Sequence, residues 1–266
     1  PGLEHKATIA SETRAAAAAG ITTLVCPPDT DPVIDEPAVV ELIRRRAEAA
    51  GYARVLALGA LTHRLRGERL AEMAALKEAG CVGVGDGGRP VANTRVLRRA
   101  LEYAATFVLT VFLTPLDPEL GHGLAHEGQV ATRLGLPGIP AAAETGIIAR
   151  DLELVRDLGV RVHFGRLSSA RAVELVAGAR AEGLPVSADV AVHQLHLTEI
   201  DLAGFDSRCH VRPPLRGPRD KDALRIGLAS GALGALCSDH QPHEPDAKQA
   251  PLGDTEPGIS GLDTLL

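Results

Sequence analysis

At 266 residues, 45% of them apolar, the chain is long enough for one large α/β domain or two small ones and too apolar to remain disordered. Twenty-eight basic against 34 acidic side chains leave a net charge of −6, which argues against a nucleic-acid surface, and no apolar run reaches the roughly 18 residues that a bilayer span needs. Aromatics make up 2% and tryptophan is absent, so the core must be built from Ala, Leu, Val and Ile, a composition suited to helices packed on a parallel sheet.

In chain order, a helical pattern from about His5 to Ala19 leads into an apolar run, Thr22 to Cys26, that reads as a strand. A helix over Glu36 to Ala50 follows, and its Arg44-Arg45-Arg46 reads as a solvated face. The alternation then continues: strand Arg54 to Gly59, helix Glu68 to Ala79, strand Cys81 to Val84, helix Thr94 to Ala105, strand Phe107 to Leu113. Helix Ala141 to Leu158, strand Arg161 to Phe164, helix Ala170 to Glu182, strand Pro185 to Val190, helix Arg219 to Ser230 and strand Gly234 to Cys237 complete it. Repeated βα units of this kind imply a parallel sheet.

A doubly wound open sheet would tolerate seven strands, but it usually carries a Gly-rich phosphate turn after its first strand. Here that strand ends in Cys26-Pro27-Pro28-Asp29-Thr30, whose prolines remove the N–H donors such a turn needs. A (β/α)8 barrel is therefore preferred, one strand short, with the missing strand expected before Pro1. No stretch resembles a flexible linker, so residues 1–266 read as one partial barrel domain. The start at Pro1-Gly2, without Met, suggests a processed, trimmed or partial sequence. Segments Gly85 to Asn93, Thr114 to His126 and Gln241 to Pro257 are the loops that would build a barrel's functional face.

Cys26, Cys81, Cys209 and Cys237 are far apart in sequence and form no C-x-x-C pair. They read as buried thiols of a reducing cytoplasm rather than as a disulfide scaffold or zinc knuckle. The chemistry concentrates near the end, where Gly234-Ala235-Leu236-Cys237 runs into Ser238-Asp239-His240-Gln241-Pro242-His243. One carboxylate beside two imidazoles at a strand end is a candidate metal or proton-transfer site, provided other segments bring further ligands to Asp239.

Several stretches taken together resemble dihydroorotases, cyclic-amide hydrolases of the amidohydrolase superfamily. They are Pro1-Gly2-Leu3-Glu4-His5-Lys6, Ile9 with Ala15 to Ala19 and Gly20-Ile21-Thr22, the turn Pro28-Asp29-Thr30 with Pro32, and Ala100 to Ala104. His163 to Ser169, Val211-Arg212-Pro213-Pro214-Leu215-Arg216, the Asp239 motif, and Glu256-Pro257-Gly258-Ile259 with Gly261-Leu262 follow in the family's order. The resemblance implies a barrel of the amidohydrolase type, its first strand and its small terminal β domain outside this sequence. It also implies one or two zinc ions at the strand ends, a metal-bound hydroxide and an aspartate that shuttles the proton.

Position by position, the resemblance leaves Asp239 in the catalytic place, vestigial if the protein is inactive, with Asp86 and Asp239 as residual metal candidates. The family's second acidic residue after Asp86 is Gly87, its histidine after the fourth strand is Thr114, and its metal histidine after the fifth is Arg166. A guanidinium stays protonated and has no lone pair for a metal. Substrate contacts fall on Asp29, which would repel a carboxylate, and on Arg216 and His243; the family's Asn is Arg212 and its His-His-Leu is His193-Gln194-Leu195. His163 reads as a core histidine.

With two metal histidines replaced, the chain looks like the non-catalytic dihydroorotase-like subunit that some bacteria use as a structural partner of aspartate transcarbamoylase. That comparison implies an oligomeric pyrimidine-biosynthesis scaffold in the cytoplasm, with the transcarbamoylase catalytic subunit as partner, no zinc, no nucleic acid and no membrane. Two alternatives stay open. One is an active zinc-dependent dihydroorotase or related hydrolase with a rebuilt site in which the family's first-strand His-x-His pair, expected before Pro1, meets Asp239, Asp86 and His193 or His240. The other is a module sensing a pyrimidine intermediate through Arg166, Arg212, Arg216 and His243, unless those arginines instead pair with Asp29, Asp86 or Asp239.

Overall fold

The computed structural model describes residues 2–265, so Pro1 and Leu266, at the ends of the sequence, lie outside the described residues. Two units separate by their contacts. One runs through Thr114 and takes in Leu154–His163, and the other comprises Pro115–Glu153 and Phe164–Leu265.

The first unit opens with α1 (Ile9–Ala18), started by a capping box in which Thr8 and Ser11 satisfy each other's backbone N–H groups. Then come β1 (Thr23–Cys26), α2 (Pro37–Ala50), β2 (Arg54–Ala60), α3 (Met73–Glu78), β3 (Gly83–Gly85), α4 (Thr94–Thr106) and β4 (Val111–Leu113). Proline at the first turn starts α2 and left-handed Gly51 ends it, while Asn93 caps α4 by accepting from Arg95 and Val96. The strands pair in parallel in the order β1-β2-β3-β4. Ile34, Val39, Val40, Ile43, Ala57 and Leu76 make the core between α2 and β2. The Arg44 to Arg46 run is exposed, as its pattern implied, and pairs with Glu41, Glu48 and Glu4.

The second unit holds β5 (Ala125–His126), α5 (Gln129–Leu134), β6 (Gly138–Ile139), most of α6 (Ala142–Leu158), the end of β7 (Val162–Phe164), α7 (Ala170–Ala181), β8 (Val186–Ala191), α8 (Pro218–Ala229) and β9 (Ala235–Cys237). Strands β8 and β9 pair in parallel with Ala191 opposite Cys237, which sets their carboxyl ends side by side. Strands β5 and β6 form a separate two-stranded parallel sheet that the sequence pattern did not indicate.

Two expected elements are corrected. Phe107 to Thr110 is not strand: Phe107 caps α4, and Val108 turns the chain at φ 55°. Glu68 to Glu72 is not helix, because Thr62 and Leu70 form an antiparallel bridge and α3 begins only at Met73. All four cysteines are free, and burial pushes the thiols of Cys26 and Cys81 up to about 11. No helix among the described residues is long and apolar enough to cross a membrane.

Candidate functional site

In the second unit the turn after β7 carries Arg166, held in the left-handed region at φ 60°. That conformation aims its backbone N–H at Asp189 Oδ1, 2.6 Å away, and its Nη1 at Asp239 Oδ1, 3.0 Å away. Asp239 follows β9 in the same strained region, at φ 43°, and the same oxygen also accepts a hydrogen bond from Gln241 Nε2 at 2.8 Å. The paired side chains are 22% and 7% exposed, so the ion pair is largely desolvated. Behind it the Cys237 thiol donates to Asp189 at 3.4 Å, and burial with that carboxylate pushes the thiol far up.

His193, just past β8, is buried, and neither ring nitrogen has a hydrogen-bond partner among the described residues. Burial lowers its pKa; Asp239 acts against that shift and Arg166 with it. The imidazole is therefore neutral at physiological pH.

Arg216 sits in a different network. Its guanidinium is 2% exposed and donates to the Ser168 hydroxyl at 3.1 Å, to Ile139 O at 2.6 Å and toward His126 Nδ1 at 3.0 Å. Glu144, buried at the start of α6, accepts from the Ser168 N–H at 2.6 Å and from the hydroxyls of Ser168 and Ser169. Burial raises the Glu144 pKa, and the Arg216 charge works against the rise. His243 is tied to its own loop, with Nε2 at 2.9 Å from Pro257 O and Nδ1 at 3.4 Å from Glu256. Arg212 reaches Gly123 O at 3.4 Å, and His240 Nδ1 accepts the Gly261 N–H at 3.1 Å.

In the first unit, Asp86 after β3 is 3% exposed, and both carboxylate oxygens accept backbone N–H groups, Gly88 at 3.0 Å and Thr114 at 2.8 Å. Thr114 thus meets Asp86 through its main chain. Gly87 takes φ 57° with the space at its Cα closed by Leu65, Pro28 and Asp29, so no larger residue fits without movement. Asp29 is exposed on the turn after β1. His163 stacks at a tilt on Phe112, with ring centroids 5.2 Å apart. Sequence reasoning did not single out Asp189 or Glu144; the signal for Asp189 was a carboxylate inside the apolar run Pro185 to Val190.

A family model described as dihydro-orotase-like matches residues 1–172. The chain belongs to this family. The dihydroorotase-like chain is 56% identical to a dihydroorotase-like protein of Pseudomonas aeruginosa and 44% identical to a dihydroorotase of Syntrophotalea carbinolica. All of it aligns with each, and it spans 63% of the length of these curated relatives. Among solved structures, an L-hydantoinase of Arthrobacter aurescens superposes with TM-score 0.85 at 21% identity, covering 97% of this chain and 60% of the other. A dihydroorotase of Saccharomyces cerevisiae in complex with 5-fluoroorotic acid gives 0.75 at 18% identity, covering 95% and 71%. The incomplete barrel read from the βα alternation stands, as does the amidohydrolase type that the resemblance implied for this (β/α)8 fold.

The donors that this dihydroorotase-like chain supplies do not fit a zinc ion. Asp239 Oδ1 faces a guanidinium and an amide N–H, Asp189 Oδ1 accepts an N–H and a thiol, and both oxygens of Asp86 are held by main-chain N–H groups. Zinc needs three or four converging lone pairs. No group of three or more His, Cys, Asp or Glu side chains among the described residues is placed to provide them.

Proposed function

We propose that the protein carrying this chain is a non-catalytic, dihydroorotase-like subunit of pyrimidine biosynthesis, cytoplasmic, oligomeric and without zinc, that acts as a structural partner of the aspartate transcarbamoylase catalytic subunit. The Arg166–Asp239 ion pair carries this reading. For hydrolysis of a cyclic amide, Asp239 has to orient a metal-activated water or move its proton, and a largely desolvated guanidinium on its Oδ1 opposes both roles. Arg216, the other cation retained from the family's substrate motif, is 2% exposed and held by Ser168 and Ile139 beside Glu144. Higher identity to a relative described as dihydroorotase-like than to one described as a dihydroorotase, 56% against 44%, points the same way.

The second reading, a working zinc-dependent cyclic amidohydrolase, is favoured by the dihydroorotase description of the 44% relative. It requires Arg166 to leave Asp239 and donors from outside the described residues. Metal analysis and dihydroorotate turnover on the intact protein separate the two, alongside sedimentation with the transcarbamoylase catalytic subunit. Co-sedimentation with neither zinc nor turnover is the expected result. Stoichiometric zinc with turnover overturns the proposal.

A further inference from the structure

The chain is acidic overall, yet residues 63–99 hold eight basic side chains against four acidic ones. Several exposed arginines of the chain are neutralised on the spot, Arg44, Arg99, Arg171 and Arg208 each holding a neighbouring carboxylate, whereas others such as Arg14, Arg133 and Arg219 stand singly among the described residues. On the loops after β2 and β3 single arginines stand together. Arg64, Arg66, Arg69 and Arg89 are exposed, and no guanidinium among them has an ion pair or hydrogen bond to a described residue. Glu68 lies among them and pairs with none of them.

The two loops are rigid and in contact. The first is closed by the Thr62–Leu70 bridge, by His63 N–H to Arg69 O at 2.8 Å and by Gly67 N–H to Thr62 Oγ1 at 3.0 Å. Asp35, after β1, anchors it by accepting the Arg64 N–H at 2.8 Å and by pairing with His63 at 2.7 Å. Buried Leu65 closes over Gly87, and Gly67 lies against Val91. Arg64 and Leu65 occupy the left-handed region consecutively, at φ 53° and 55°, conformations that persist only when surroundings enforce them. The result is a fixed backbone presenting unneutralised guanidinium groups to solvent.

We infer that this arginine rim is a docking surface for an acidic protein surface; the choice of the transcarbamoylase catalytic subunit as its partner rests on the function proposed above. Unpaired, weakly hydrated guanidinium groups on a rigid base match carboxylates at little ordering cost and steer a negatively charged partner. Nucleic acid fits less well. No Phe, Tyr or Trp side chain lies between Gly59 and Tyr103 to stack a base.

The test uses the intact protein, the variant Arg66→Glu/Arg69→Glu/Arg89→Glu, and the control Arg99→Glu/Arg171→Glu/Arg208→Glu. Binding is measured at several salt concentrations to poly-L-glutamate, to a 20-base-pair DNA duplex and to the catalytic subunit. The rim variant should keep its thermal midpoint yet bind poly-L-glutamate and the subunit at least tenfold more weakly with a flattened salt dependence, while the control stays within about twofold. Equal poly-L-glutamate binding by rim variant and wild type, or tighter binding of the duplex than of poly-L-glutamate, overturns the inference. If the subunit binds but the rim variant binds it equally well, the rim inference fails and the structural-subunit reading survives. If the subunit does not bind while poly-L-glutamate still depends on the rim, that reading fails and the rim stands as a site for another acidic protein.

Discussion

Arg166 illustrates how one side chain can close off a reaction and hold a structure together. Its N–H on Asp189 and its guanidinium on Asp239 join the carboxyl ends of β7, β8 and β9. Removing the cation leaves the Asp239 side chain, 7% exposed, with the Gln241 amide as its hydrogen-bond donor among the described residues. Arg166→Ala should therefore lower stability by about 3 kcal/mol, read from urea unfolding, since breaking a largely buried pair strands a charge. Arg166→Gly should recover about 1 kcal/mol of that loss, because glycine adopts φ 60° without penalty. Equal stability of the two variants would show that the turn carries no strain, and an unchanged Arg166→Ala would show that the pair contributes nothing.

At the scale of elements, Glu144 joins helix α6 to the start of helix α7. Ser169 caps α7 by accepting the Ala172 N–H and donates its own proton to Glu144, while Ser168 relays between Glu144 and Arg216. Glu144→Ala should cost about 4 kcal/mol and speed amide exchange in the first turn of α7, because it also strands the buried Arg216 charge. A stability loss without faster exchange there would detach α7 from the network. The strands of this architecture were legible because barrel strands are apolar runs bounded by helices. Phe107 to Thr110 deceived because Phe, Val and Thr favour strands, whereas Lys77 and Arg161 bind the carbonyls of Phe107 and Val108 and fix a turn that local sequence cannot reveal. Ala125–His126 and Gly138–Ile139 are too short for any period. At the site, the motif around Asp239 and the Arg166 substitution stood in plain view, but Arg216 beside Glu144, 72 positions away, is a pairing that only the fold can make. Glycine packing is equally invisible: a Cβ on Gly83 would lie 2.7 Å from the Phe112 ring, so Gly83→Ala should cost about 2 kcal/mol in thermal unfolding.

For the molecule as a whole, opposed buried titrations set the response to acid. His210 is 4% exposed, its Nδ1 is 2.8 Å from the Thr255 hydroxyl, and burial with nearby Lys248 and Arg212 lowers its pKa to about 4. Because Thr255 donates its own proton to Leu252 O, the imidazole N–H is the donor to Thr255. Below pH 6.5 the unfolded state takes up a proton that folded His210 refuses, so stability falls until about pH 4, by about 3 kcal/mol at the linkage rate of 1.36 kcal/mol per unit. Asp151 has the opposite sign. Burial, only partly offset by Arg150, raises it to about 6 from 3.8, so the folded state gains a proton first and stability rises as pH falls through that window. These two contributions nearly cancel between pH 6 and 4. Single substitutions should uncover each one: Asp151→Asn should lose stability steadily as pH drops from 6.5 to 4, and His210→Asn should gain it. Chemical denaturation at half-unit steps checks both, and parallel profiles for the two variants would mean that neither group titrates across the fold as its burial requires.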